Sequence, residues 1–212
     1  MKPACMMFFC ALLLTGCEGD GDAAQARSGK GGPAIARDAV WQGNISRCDP
    51  QADASPETCL IEQIKVSGGT PAAQTAARYL VANYEPGYVS GWQQKGRVGI
   101  ANITWPFRAN THSGTLLIPS SGKSIDVDRP PVDLAGNAVW KTFLSVHPDS
   151  MLFPPAKMLE AQPTVKGQRL VFTLPIKHCR ACDTRALLSI GYNFDADGRA
   201  TGSEILSINV AR

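Results

Sequence analysis

The run His178-Cys179-Arg180-Ala181-Cys182 concentrates more reactive side chains than any other stretch of the chain. Two thiols separated by two residues can cycle as a redox pair when the first opens a helix, because the helix N-terminus lowers the thiol pKa and favours the nucleophilic thiolate. With His178 they could also ligate zinc. The context argues for neither. Asp183, Thr184 and a strand-like run follow, about 30 residues before the C-terminus, where the remainder of a thioredoxin-like unit has no room. Haem attachment requires histidine where Asp183 stands, and a structural zinc site requires a fourth ligand that no second pair supplies. The expectation is a disulfide that cinches a turn between two strands, with no metal and no cofactor.

Acid–base chemistry has one candidate pair. Asp126 and Asp128 lie two residues apart in a strand-like segment, which would put both on one face about 7 Å apart, near the spacing of carboxylates that act on a glycosidic bond. With His112 they would form a weak hydrolytic site. A serine triad could draw on Ser120 or Ser121 and on His112 or His147, but the chain has no G-x-S-x-G, H-E-x-x-H or P-loop to organise one. A solvated sheet face is therefore the expected setting of the aspartates. Asp195-Ala196-Asp197-Gly198 resembles the start of a calcium loop, yet the twelfth place is Leu206, which has no oxygen to offer, so a hairpin turn is expected there.

The stretch Trp105 to His112 combines aromatic, cationic and amide groups, the side chains that supply contact area and directional donors at protein interfaces. Trp92, Trp105, Phe107, Arg108 and His112 are accordingly the candidate binding residues. In the competing arrangement Trp105 and Phe107 plug the edge of a sheet and Arg108 pairs with an acidic neighbour.

The chain opens MKPACMMFFCALLLTGC, with one Lys, an apolar run from Met6 to Leu14 and then Leu14-Thr15-Gly16-Cys17. The run is about half the ~20 residues that span a bilayer, so it reads as a signal sequence. Its last four residues resemble the bacterial lipobox. That resemblance implies cleavage before Cys17 and acylation of its thiol and amino group, which would anchor the protein to a bilayer without a spanning helix. Glu18 stands where lipoproteins kept at the inner membrane often carry Asp, which implies the outer membrane, facing the periplasm, in preference to the inner one. Beyond the leader, the domain resembles only periplasmic lipoproteins of no assigned function.

Residues 1–16 are thus expected to leave as a signal peptide, and 17–37, rich in Gly, Ala and charge, to serve as a lipidated tether. A single domain would occupy 38–212. Lys+Arg 21 against Asp+Glu 18 gives a net charge of only +3, too close to balance for a nucleic-acid surface. In an oxidising compartment Cys48, Cys59, Cys179 and Cys182 remain to pair. Three pairings are possible, and Cys48–Cys59 with Cys179–Cys182 is preferred because both are local.

The elements that must hold these groups follow from periodicity. Thr70-Pro71 before Ala73, Ala76, Ala77, Leu80 and Tyr84 predicts a capped helix ended by Pro86-Gly87. Arg97–Trp105 predicts a strand covered on both faces, and Thr115–Pro119 and Lys123–Asp128 two short strands. A second helix is expected over Asp133–Leu144 with Asp133 as cap, and one helical turn near Ala156–Ala161. Between Cys48 and Cys59 a polar loop stapled at its base is expected. Gln168–Ile176 alternates as a half-buried strand, and Leu188–Phe194 with Glu204–Val210 forms a terminal hairpin. The fold class is α+β, an antiparallel sheet of about five or six strands with one or two packed helices. The absence of a recognisable reaction centre favours binding of an envelope protein or cell-wall component, as an inhibitor or immunity-like factor would do. An envelope hydrolase or thiol-dependent enzyme is the alternative.

Overall fold

The computed structural model describes residues 34–48 and 55–210. The leader, Cys17 and most of the tether therefore lie outside the described residues. Within them the class is α+β and the chain ends in an antiparallel hairpin, but the strands divide between two antiparallel sheets, of four and five strands.

Two helices precede the first sheet. Ser55 accepts the Thr58 N–H and Pro56 takes the first turn of α1 (Pro56–Val66), the residue types that favour a helix start. This helix replaces the end of the expected polar loop, because Leu60 and Ile64 share a buried face. The Cys48–Cys59 disulfide ties its first turn to the preceding segment. Closing a loop of that size constrains the unfolded chain by about 3 kcal/mol. Thr70 caps α2 (Pro71–Asn83) as expected, its hydroxyl accepting the Ala73 N–H. Small residues let α2 serve two partners. Ala73 and Ala77 pack with Leu60, Ile64 and Trp41, while Ala76 and Leu80 rest on the first sheet. Ile35, in the segment read as tether, is 1% exposed in that same packing.

The first sheet is a meander of β1 (Tyr88–Lys95), β2 (Val98–Thr104), β3 (Ser113–Ile118) and β4 (Ile125–Asp126). Strand β2 is covered on both sides, as its sequence predicts. Ala101 and Ile103 face α2, and Val98 and Ile100 face the second sheet.

That sheet has the order β5 (Met151–Leu152), β7 (Gly167–Lys177), β8 (Ala186–Asp195), β9 (Ala200–Val210), with β6 (Lys157–Thr164) also paired to β7. The alternation in β7 and β8 puts Leu170, Phe172, Leu174, Leu188, Ile190 and Tyr192 on one inner face against Val98, Ile100, Leu117 and Val127. Trp140 and Phe143 of α3 (Ala138–Val146) join this core.

Two local expectations are corrected. Helix α3 starts after residue 137, where Asn137 caps it by accepting the Trp140 N–H; Asp133 instead accepts the Gly136 N–H and closes a turn. The segment 157–161, rich in good helix formers, is strand, because pairing with β7 outweighs a propensity of a few tenths of a kcal/mol per residue. The turn after β8 forms as expected: Asp195 accepts the N–H groups of Asp197 and Arg199, and Asp197 pairs with Arg97 and Arg199.

Candidate functional site

The loop after β2 begins with Trp105, which is 2% exposed. Its indole fills a slot that only glycine leaves open: a Cβ at Gly114 would lie 2.4 Å from Nε1, and one at Gly87 2.5 Å from Cε3. Arg108 stacks on the ring at 4.6 Å and donates from Nε and Nη2 to both carboxylate oxygens of Glu85, at 2.8 and 3.1 Å. Arg129 adds a third donor to Glu85. The Arg108 hydrogen bonds hold the Glu85 carboxyl below its ordinary pKa, against the opposing effect of burial. This is the arrangement in which Trp105 plugs the sheet and Arg108 pairs with an acidic neighbour.

Phe107 is half-buried against the α1–α2 packing, and Trp92 is half-buried with its Nε1–H directed to Gln94. His112 is exposed, and its carbonyl accepts the Trp105 N–H. Arg108→Ala is expected to cost about 1 kcal/mol in urea denaturation, since the pair is partly exposed, and Arg108→Lys to recover only part because an ammonium cannot make the forked contact. Full recovery by lysine would contradict the assigned geometry.

The aspartates do not lie on the solvated face expected of them. Asp128 spends both oxygens on backbone, accepting from Thr115 N at 3.3 Å and from Ala156 N at 2.6 Å. Asp126 accepts the Asp128 N–H. Burial pushes the Asp128 carboxyl up to about 6, the nearby Asp126 charge adding to it, and burial raises Asp126 as well. Across the sheet interface the Tyr192 hydroxyl is buried without a hydrogen-bond partner in the described residues, and burial, then the two carboxylates, raises its pKa. No hydrogen bond among the described residues joins the His112 ring to either aspartate. The pair bridges β3 to the segment before β6, and both Asp128 oxygens are already committed.

The loop between β7 and β8 carries the Cys179–Cys182 disulfide, the pairing expected from sequence. His178 Nε2 lies 3.0 Å from Cys182 Sγ, and Arg180 donates to Thr111 Oγ1 at 2.9 Å. Thr111, at φ 56°, is the only residue other than glycine with positive φ among the described residues, a costly conformation for a β-branched side chain. The structure thus joins the loop of His112 to that of the cysteines, a meeting with no signal in either segment.

The outer face of the second sheet contributes residues that motif reading passed over. Arg169 donates from Nε to Asn193 and from Nη2 to Glu204, and Asn193 also donates to Glu204. Leu187 and Leu206 are 38% and 36% exposed, and Val165 at the β6–β7 turn is fully exposed. An open groove of about 370 Å³ runs between Val165, Lys166, Arg169, Asn193 and Thr201. The alternation that turns Leu170 inward already turns Arg169 outward; what it omits is that no helix among the described residues covers that face. The chain matches no known family model, no curated protein and no solved structure.

Proposed function

We propose that the protein is a lipoprotein, acylated at Cys17 and held on the periplasmic side of the outer membrane, that binds a protein partner rather than catalysing a reaction. The observation that supports this reading is the outer face of the second sheet. Its inner face is spent on the core, whereas the outer one presents the fixed Arg169–Asn193–Glu204 network beside the exposed Leu206 and the groove under Val165, with the exposed Leu187 farther along β8 toward its start. A wide face of mixed apolar and charged groups suits a folded partner, as an inhibitor or immunity-like factor would meet, better than it suits a small molecule, which binds in an enclosing cavity.

The test places a photo-crosslinking residue at position 206 of the acylated protein in envelope membranes, and another at exposed Val66 of α1 as a control. One discrete cross-linked product at 206, absent at 66 and lost with Arg169→Glu, is expected. No product, or equal products at both positions, would exclude this face. Labelled palmitate should enter the wild type and not Cys17→Ser; label retained in that variant would remove the anchor from the reading.

A further inference from the structure

The β7–β8 loop holds the ligands of a metal site within reach of one another. We propose that, once a dithiol has opened its disulfide, His178 Nε2, Cys179 Sγ and Cys182 Sγ bind one thiophilic metal ion of the zinc(II) type, with a fourth position open to water or an added ligand.

The three ligand atoms lie within 4.8 Å of one another. Bond lengths near 2.0–2.1 Å to nitrogen and 2.3 Å to sulfur put the ligand atoms of a tetrahedral zinc site about 3.3–3.8 Å apart, so the required movement is small. His178 Nε2 and Cys182 Sγ, at 3.0 Å, must open by about half an ångström, and the sulfurs must move apart and settle about equally far from the imidazole nitrogen, adjustments that side-chain rotation allows once their bond is broken.

The backbone keeps the set together without the disulfide. The Cys182 N–H donates to the Cys179 carbonyl, closing the turn, and the Arg185 N–H donates to the Ile176 carbonyl, closing the loop at its base. Arg180 ties the loop to Thr111. The thiols are half-buried and the imidazole exposed, which leaves an approach from solvent. Two thiolates and one imidazole favour zinc or monovalent copper over magnesium or calcium, which take oxygen ligands.

The chemistry balances in two steps. The dithiol transfers two electrons and two protons to the Cys179–Cys182 bond, leaving two thiols and its own cyclic disulfide. The divalent ion then displaces the two thiol protons to solvent, and neutral His178 supplies a lone pair, so the metal keeps its oxidation state. Three protein ligands, too few for a closed structural site, are the number found where zinc retains an exchangeable position.

The full chain, reduced with dithiothreitol and freed of it under argon, would be titrated with cobalt(II), whose thiolate charge-transfer and tetrahedral visible bands report the ligand set. Because reduction also opens Cys48–Cys59, the reference is Cys179→Ser/Cys182→Ser reduced in the same way. Reduced wild type should bind one more cobalt ion than this variant, release it to zinc, and bind at least about tenfold more tightly than His178→Ala, while the oxidised protein shows no thiolate band. Equal titrations of wild type and the double variant, or undiminished affinity in His178→Ala, would overturn the site. So would loss of the far-UV circular dichroism on reduction, because the ligands are gathered by the folded β7–β8 loop.

Discussion

Trp105→Ala is expected to lower the unfolding free energy by about 4 kcal/mol, the middle of the range for removing an aromatic ring from a core. The indole is 2% exposed and packs with Ile103, Leu116 and Val89, so nothing can flow into the space it leaves. Its loss also takes away the surface on which Arg108 stacks. Gly114→Ala should approach the same cost by the opposite route, since the new methyl would stand 2.4 Å from a ring atom and a ring has no flexible end to swing aside. Trp92→Ala should cost clearly less, because that ring is only half-buried. Urea denaturation with unchanged m-values would measure all three variants. If Trp105→Ala cost under about 1 kcal/mol while partner capture failed, Trp105 would be a binding residue after all.

The elements that sequence made legible are those in which one local signal decides. Thr70-Pro71 starts α2 whatever lies around it, and the alternation of Leu170, Phe172 and Leu174 sets the inner face of β7. The division into two sheets carries no such signal. Alternation says which residues share a face, not which strand lies alongside, and β4 and β5 are only two residues each, too short to show a pattern. Helix α1 did have its Ser55-Pro56 start, but the two flanking cysteines suggested a stapled loop, when one of them lies inside the helix.

The site was legible in the same uneven way. A partner for Arg108 was expected, but Glu85 sits 23 residues earlier, just past the end of α2, and only the fold brings the two together. Strand alternation extended to residue 128 places the aspartates on one solvated face. Strand β4 ends at Asp126, so the rule lapses there, and Asp128 turns to the backbone N–H groups of Thr115 and Ala156. The outer residues of the second sheet were visible as a pattern and silent as a site, since exposure depends on which elements fail to cover them.

Stability should rise on acidification from pH 7 toward pH 5, the reverse of what paired carboxylates produce. In the unfolded chain Asp128 titrates near its ordinary 3.8, and in the folded protein burial moves it to about 6. Between those values the folded state binds more protons than the unfolded one, so unfolding free energy falls as pH rises through this window. The stabilisation is fully present below the lower value and lost above the upper one. Two pKa units correspond to about 3 kcal/mol, reduced to about 2 for a carboxyl that keeps some contact with solvent. Asp126, also raised by burial, acts in the same direction. Glu85 acts in the opposite one: its carboxyl is held low by Arg108, so its contribution is lost as pH falls below its ordinary 4.5. Maximum stability should therefore lie near pH 5. Asp128→Asn cannot titrate, and its amide can accept only one of the two backbone N–H groups that the carboxyl serves. That variant should be less stable than wild type at pH 5, approach it near pH 7.5, and lose most of the slope between them. Urea midpoints at intervals of one pH unit would give both curves. Parallel slopes would assign the pH dependence to other groups and leave Asp128 ionised in the fold.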